Sequence, residues 1–343
     1  MDPASHALAS LALVRGFFPR RSWRFTVIVV LAGTLADLDL LTLLFGPATY
    51  LSGRNTLTHS LLGTCAIVAI VCVCGYAWEK RRRAPQKTGP ASANGLGVLL
   101  LATFLAAELH PLLDLSTPDG IAIFWPFRPT RFAWDLLPAT DPWILSLLLA
   151  GWLLPLVFSL VSVEIGAKSK SPRGHSGARI ALALVCVYFG ARFTMHSAAA
   201  RQLDSHSFRG ESPRQSGALP DSLSLLTWHG IAETTSLICT IDVPATPTSN
   251  FDSETAACVH KPEPSPALFT AQHTEAVRQF LSASRFPKAT VGAMENGTEV
   301  VVRDLRYTVL GESRFAPAAR VLLDSGGQVT SQRIVWAQDV RLR

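Results

Sequence analysis

The chain has 343 residues, 48% hydrophobic and only 16% charged, where a soluble protein of this length carries about a quarter charged residues. Its net charge of +6 is small, and the basic residues fall in short clusters between apolar runs. That pattern argues against a nucleic-acid surface and fits loop charges that orient membrane helices. Most of the apolar excess lies before residue 200. The sequence therefore predicts a membrane all-α helical bundle over residues 1–200, a linker over 201–222, and a small soluble α+β domain over 223–343.

In chain order the first element is the short run "SHALASLALVRGFF" at 5–18. It lacks the basic start and small-residue cleavage pattern of a signal peptide, and Arg15 interrupts it, so it is expected as a short or half-inserted membrane helix. Five runs of about 20 residues follow, long enough to cross a bilayer, at approximately 26–46, 61–78, 96–115, 141–163 and 178–196. With the first, they make a bundle of about six helices. The loops "PRRSWR" (19–24), "EKRRRAPQK" (79–87) and "KSKSPRGH" (168–175) are basic and alternate with the less basic segments 47–60 and 116–140. Basic loops favour the cytoplasm, so six crossings put both chain ends, and the C-terminal domain, on the non-cytoplasmic side.

The polar segment "RQLDSHSFRGESPRQSGALPDS" reads as the linker. Beyond it, "SLLTWHGIAE", "SLICTIDV" and "TEVVVRDLRY" alternate, with turns at Asn296-Gly297 and at a Gly-Gly pair. These are hairpin signals and predict a small antiparallel sheet. "TEAVRQFLSASRF" (274–286) has helical spacing and supplies one helix. Cys239 and Cys258 can pair if this part faces an oxidising compartment. Cys65, Cys72, Cys74 and Cys186 lie in apolar runs as free thiols.

Ionisable residues inside membrane segments cost about 2.5–3.5 kcal/mol each at mid-helix and are functional candidates by default. Here they are His6, Asp37, Asp39, Glu108, His110 and Asp114, with His59, Asp119, Asp135 and Asp141 at or beside helix ends. His110 and Asp114 stand four apart, on one helical face. Asp37 and Asp39 stand two apart, about 200° around an ideal helix, so only one faces a shared site unless the helix breaks there. His59 lies just before a helix, with Thr58 or Ser60 to cap it. In the six-crossing topology His6, His59, His110 and Asp114 fall on the non-cytoplasmic side, with Asp37 and Asp39 deeper. Imidazole and carboxylate ligands from separate segments suit Zn²⁺, Mn²⁺ or Fe²⁺.

Plainer readings stand beside this one. His6 alone fits an interface residue, His110 with Asp114 fits a hydrogen-bonded structural pair, and Asp37 with Asp39 fits a proton path. Glu108 lies on a different face from His110 and is left out. His175, His196, His206, His229, His260 and His273 have no partners at ligand spacing.

The motifs "MDPASHAL", "LADLDLL", "NTLTHSLLG", "HPLLDLSTPDG" and "FAWDLLPATDPW", in that order, resemble the bacterial YdjM-like family of inner-membrane proteins, described as metal-dependent hydrolases. The resemblance covers roughly residues 1–165, and the part from "LSLLTWHGIAET" onward looks like the soluble extension of longer members. It implies a multi-pass protein of the bacterial inner membrane. A divalent metal, zinc foremost, would be held by His6, Asp37, Asp39, His59, His110 and Asp114, with Asp135 and Asp141 as outer candidates. A distant similarity of the family to zinc-dependent phospholipase C implies phosphoester hydrolysis by analogy alone. One departure is "GRNTLTHS", which has no histidine where family members often read His-Arg-Gly. It puts the second metal of a two-metal site in doubt.

The expected chemistry is a metal-activated water attacking an ester or phosphoester, with a lipid or lipid-linked substrate. His6, His59, His110 and one of Asp37 and Asp39 would be direct ligands. Asp114 would ligate or orient His110, and the remaining aspartate, Asp39 for choice, would take the proton. Arg54 or Arg131 would steady an anionic group. Two alternatives are a proton-coupled transporter or ion-conducting bundle using Asp37, Asp39 and His110, against which no internal repeat is found, and a non-catalytic membrane scaffold.

Overall fold

The computed structural model describes residues 1–19, 21–82, 93–164, 175–246, 251–311 and 316–339. The basic loops expected at 79–87 and 168–175 fall largely outside the described residues. The chain forms two compact units. One comprises Met1–Leu38, Leu57–Phe127 and Phe132–Arg192, and the other Asp39–Thr56, Arg128–Arg131 and Phe193–Arg343.

The first helix, α1 (Pro3–Phe17), starts where Asp2 accepts from Ser5 N at 2.9 Å and from Ser5 Oγ at 2.6 Å. Pro3 at its first turn needs no donor there. At fifteen residues it is about 22 Å long, short of the roughly 30 Å hydrocarbon core. Its buried face is made of small residues, among them Ser5, Ala9, Ser10, Ala12 and Gly16, which lets backbones approach closely. Its last carbonyls are met by side chains of another helix: His175 Nδ1 lies 2.7 Å from Arg15 O, and Arg179 Nε donates to Gly16 O at 2.7 Å.

Next, α2 (Trp23–Thr34) is capped by Ser22 and runs on as a 3₁₀ segment, Leu35–Phe45. The short α3 (Pro47–Gly53) follows, then a 3₁₀ turn, Leu57–His59, and α4 (Leu61–Arg82). Ser60 rather than Thr58 caps α4, accepting from Gly63 N at 3.1 Å. Gly63 is required there, because a Cβ would lie 1.8 Å from Leu57 O. Then come α5 (Ala93–Leu115), α6 (Pro142–Glu164) and α7 (His175–Ser205). Five stretches are long and apolar enough to cross a membrane: Trp23–Phe45, Leu61–Trp78, Gly95–Leu115, Pro142–Leu160 and His175–Ser205. They match the five expected runs.

Aromatic side chains mark two places in the helical unit. Trp23 and Trp78 meet edge-on at 5.6 Å, with the Arg24 guanidinium over both rings. Elsewhere Phe124, Phe127, Phe132, Trp134 and Trp143 are exposed. The amphipathic indole rings among these sit at membrane–water interfaces. The segment after α5 is pinned by backbone bonds: Trp134 N donates to Leu115 O at 2.7 Å, and Leu136 N and Leu137 N donate to Ser116 O.

The second unit holds two four-stranded antiparallel sheets, each in sequence order. The first is β1 (Gln215–Pro220), β2 (Thr227–Glu233), β3 (Leu237–Pro244) and β4 (Ala257–His260). Its core includes Ala199 and Leu203 from the end of α7, with Phe208, Trp228 and Val243. Cys239 and Cys258, paired across β3 and β4, form a disulfide. After α8 (Pro266–Gln272) and α9 (Glu275–Ala283) comes the second sheet. Its strands are β5 (Pro287–Met294), β6 (Gly297–Asp304), β7 (Pro317–Asp324) and β8 (Val329–Trp336), with α10 (Leu305–Val309) between β6 and β7. Val277 and Phe280 of α9 pack on Val300, Val302 and Val321, and Leu51 of α3 joins that core.

The α+β class holds, with three differences from expectation. Among the described residues of 223–343 there are two sheets and three α-helices instead of one of each. The segment 201–222 is not a linker, since α7 continues to Ser205 and β1 begins at Gln215. Residues 39–56, expected in the membrane part, belong to the second unit because Leu51 is buried against its sheet.

Two outcomes follow. Asp304 is buried and accepts from Arg306 Nε and Nη2, Arg306 N, Ser284 Oγ and Arg285 N at 2.9–3.0 Å. Burial alone would raise its pKa, but the buried Arg306 guanidinium and these donors hold it below the ordinary 3.8. Asp304→Ala should lower stability by about 3–5 kcal/mol, because it strands a buried Arg306. Since the folded carboxyl titrates lower than the unfolded one, the wild-type contribution is present above the unfolded value and is lost as pH falls through the folded one. Chemical denaturation across acid pH measures both. Separately, alkylation of unfolded, unreduced protein should modify four of the six cysteines. Breaking the disulfide should cost about 3 kcal/mol for a loop of this length.

Candidate metal centre

Two helices, the segment after α2 and one turn of the first unit bring five side chains together. His6 comes from α1, Asp37 from the segment following α2, His59 from the turn before α4, and His110 and Asp114 from one face of α5. All five are buried, His6, His59, His110 and Asp114 to 1% exposure or less. His59 Nε2 lies 2.7 Å from Asp114 Oδ2 and 3.0 Å from His110 Nε2. His110 Nε2 lies 3.3 Å from Asp114 Oδ2 and 3.8 Å from Asp37 Oδ1. His6 Nε2 lies 3.2 Å from Asp114 Oδ1, and its ring stacks on that of His110 with centroids 3.6 Å apart. The nitrogen of Met1 also touches Asp114 Oδ1.

Overlapping ligand sets result, among them His6 with Asp37 and His110, and His59 with His110 and Asp114. Ligand atoms at about 2.0–2.2 Å around one tetrahedral ion stand about 3.3–3.5 Å from each other. The separations here, from 2.7 to 3.8 Å, straddle that value. The charges agree. With neutral imidazoles Asp37 and Asp114 carry two buried negative charges, with the Met1 ammonium against Asp114. A divalent cation would add to that compensation.

The tautomer of His110 is the sharpest feature. Its Nδ1 lies 2.8 Å from Gly33 O, and a carbonyl can only accept, so Nδ1 carries the proton. In the neutral ring Nε2 then presents a lone pair to the carboxylate oxygens of Asp114 and Asp37. Lone pair and carboxylates repel unless a cation or a proton lies among them. His59 is held similarly, with Nδ1 3.0 Å from Thr58 Oγ1. Such outer partners orient metal-binding imidazoles.

Gly33 was not among the residues singled out from sequence, yet it sets this geometry. A Cβ there would lie 2.0 Å from Ser10 Oγ of α1 and 3.1 Å from Ala106 O of α5. Its absence lets α1, α2 and α5 meet where His6 and His110 stack. The available signal was the run of small residues in "ASHALAS" opposite a glycine in an otherwise bulky helix.

The remaining candidates are placed elsewhere. Asp39 belongs to the second unit, where it accepts from Arg54 Nη1 at 2.5 Å and Asn55 N at 2.7 Å. Arg131 Nη2 donates to Leu51 O and Arg54 O. Asp141 caps α6 through Trp143 N and Ile144 N at 2.9 and 3.0 Å, and accepts from Tyr188 Oη at 2.8 Å. Its role there is structural. Asp135 is buried with a φ of 55° in the segment before α6.

The geometry generates one direct expectation. Gly33→Ala replaces no ligand residue but pushes α2 away from α1 and α5, and should weaken Zn²⁺ binding by about 10–100-fold, as loss of an orienting partner does. Equilibrium dialysis of the purified protein against Zn²⁺ measures it.

Comparison with known proteins adds two matches. The family model described as YdjM inner membrane protein matches residues 1–199. The model described as YfhP C-terminal alpha/beta plait domain matches residues 266–343, the stretch containing α8 to β8. No curated protein and no solved structure matches the chain.

Proposed function

The chain belongs to the YdjM inner membrane protein family, and we propose that it is a membrane-embedded, metal-dependent hydrolase acting on an ester or phosphoester. The observation that carries the proposal is the His110 lone pair fixed by Gly33 O and aimed among two buried carboxylates and two further imidazoles. A divalent ion such as Zn²⁺ suits this donor set, and when bound it supplies Lewis-acid activation of water.

In this reading His6, His59, His110 and Asp114 hold the ion. Gly33 O fixes the His110 tautomer, so its Nε2 lone pair needs no reorganisation. Asp37 Oδ1 stands farthest from His110 Nε2, at 3.8 Å. That spacing leaves it to accept the proton given up by the attacking water. Asp39 and Arg54 neutralise one another, so the base role moves from Asp39 to Asp37. Burial of the cluster keeps competing water out and strengthens every charge interaction within it.

The test is metal analysis of full-length protein purified in detergent, alongside turnover of a chromogenic phosphodiester and a chromogenic ester. Wild type should carry stoichiometric transition metal, and His59→Ala and His110→Ala should lose it. Asp37→Asn should keep most of the metal while turnover falls by about 10²–10⁴-fold. Wild type without metal, combined with pH-dependent flux in liposomes, would replace this reading with a proton relay.

A further inference from the structure

Beside the cluster, and within the same unit, lies a cavity of about 260 Å³ with His59 on its wall. The rest of that wall is mainly apolar: Leu61 at the start of α4, Leu112 and Leu115 on α5, and Ile121 and Ile123 from the following segment. Leu61 N donates to Ile123 O at 3.1 Å, which ties this segment to α4 and forms one side of the space. Only Thr64 and Glu108 add polar side chains to the wall.

Two features say what fills it. First, Leu61 and Leu112 are 48% and 45% exposed although both belong to membrane-crossing stretches, so the cavity opens on a surface that faces lipid. Second, Phe124, Phe127 and Phe132, on the segment that supplies Ile121 and Ile123, are exposed apolar rings, and the exposed Trp134 beside them is suited to the headgroup region. An apolar space open sideways to the bilayer takes what the bilayer supplies. Its volume falls just below the roughly 300–1,000 Å³ of sites that enclose a whole small molecule. It suits one hydrocarbon chain with the rest of the molecule outside.

We propose that this cavity binds an acyl chain of a membrane lipid, entering between α4 and α5, with the polar end of the chain brought to His59. The proposal rests on the hydrolase reading only for what happens at that end, and it makes the substrate class an acylated membrane lipid. Thr64 and Glu108 stand where the chain gives way to its polar end and act as positioning residues.

The experiment uses the full chain in phosphatidylglycerol nanodiscs doped with a phospholipid carrying a diazirine along one acyl chain. After photolysis, labelled peptides are mapped and metal content is measured on the same samples. Labelling of Leu112, Leu115 and Ile121 should exceed that of Leu100 and Phe104, which are lipid-facing on α5, by several-fold. Ile123→Trp, which fills the cavity, should remove the excess without lowering metal content, and Ile123→Leu should preserve it. Equal labelling along α5, or an excess indifferent to Ile123→Trp, overturns the proposal. Excess labelling in a wild type devoid of metal supports the acyl site while overturning the hydrolase reading, so the two stand or fall separately.

Discussion

The hydrogen bond between His110 Nδ1 and Gly33 O ties the chemistry of the cluster to the packing of the helices. It needs a carbonyl brought against an imidazole in the middle of a bundle. That approach is open only because Gly33 has no side chain to meet Ser10 and Ala106. The same contact seats α1, and hence His6, over the His110 ring. A lone pair at His110 Nε2 is the chemical result, and two buried carboxylates beside it make the site a place for positive charge. Packing decides the tautomer, and the tautomer decides what the cluster can hold.

Part of this was legible in the sequence because it rests on period and cost. A histidine and an aspartate four apart on a lipid-length helix must share a face, and His110 with Asp114 do. Polar groups in apolar runs are expensive enough to mark themselves, which is how His6, His59 and Asp37 were found. Asp39 carried the same mark for another reason. Its partner Arg54 is fifteen residues away, in a segment without periodicity, and nothing local shows which of two neighbouring aspartates turns toward an arginine. Gly33 was invisible for the converse reason, since what matters about it is an atom it lacks, judged against residues 23 and 73 positions away.

The soluble part shows the same division. The helix after Thr274 was readable from spacing and is present, and the hairpin signalled at Asn296-Gly297 is present with its turn one residue earlier, at Glu295-Asn296, and Gly297 opening β6. The β1 strand was not, because "QSGALP" sits among Pro, Gly and charged residues and becomes a strand through pairing with β2. Gly217 lies in that strand against the Phe286 ring, where a Cβ would be 2.6 Å from Cζ. Strand formation of this kind depends on a tertiary neighbour and leaves little trace in composition.

The shortness of α1 has a consequence for how the protein is made. A helix too short to cross the bilayer gains little from lipid and depends on docking, yet its His6 meets an aspartate 108 residues later in the chain. At roughly 5–20 residues per second of synthesis, α1 waits several seconds, already outside the ribosome, before α5 exists to receive it. The earliest of the clustered side chains to be synthesised is thus seated only once α5 is in place, and the cluster closes after the helix that carries His110 and Asp114 has been made.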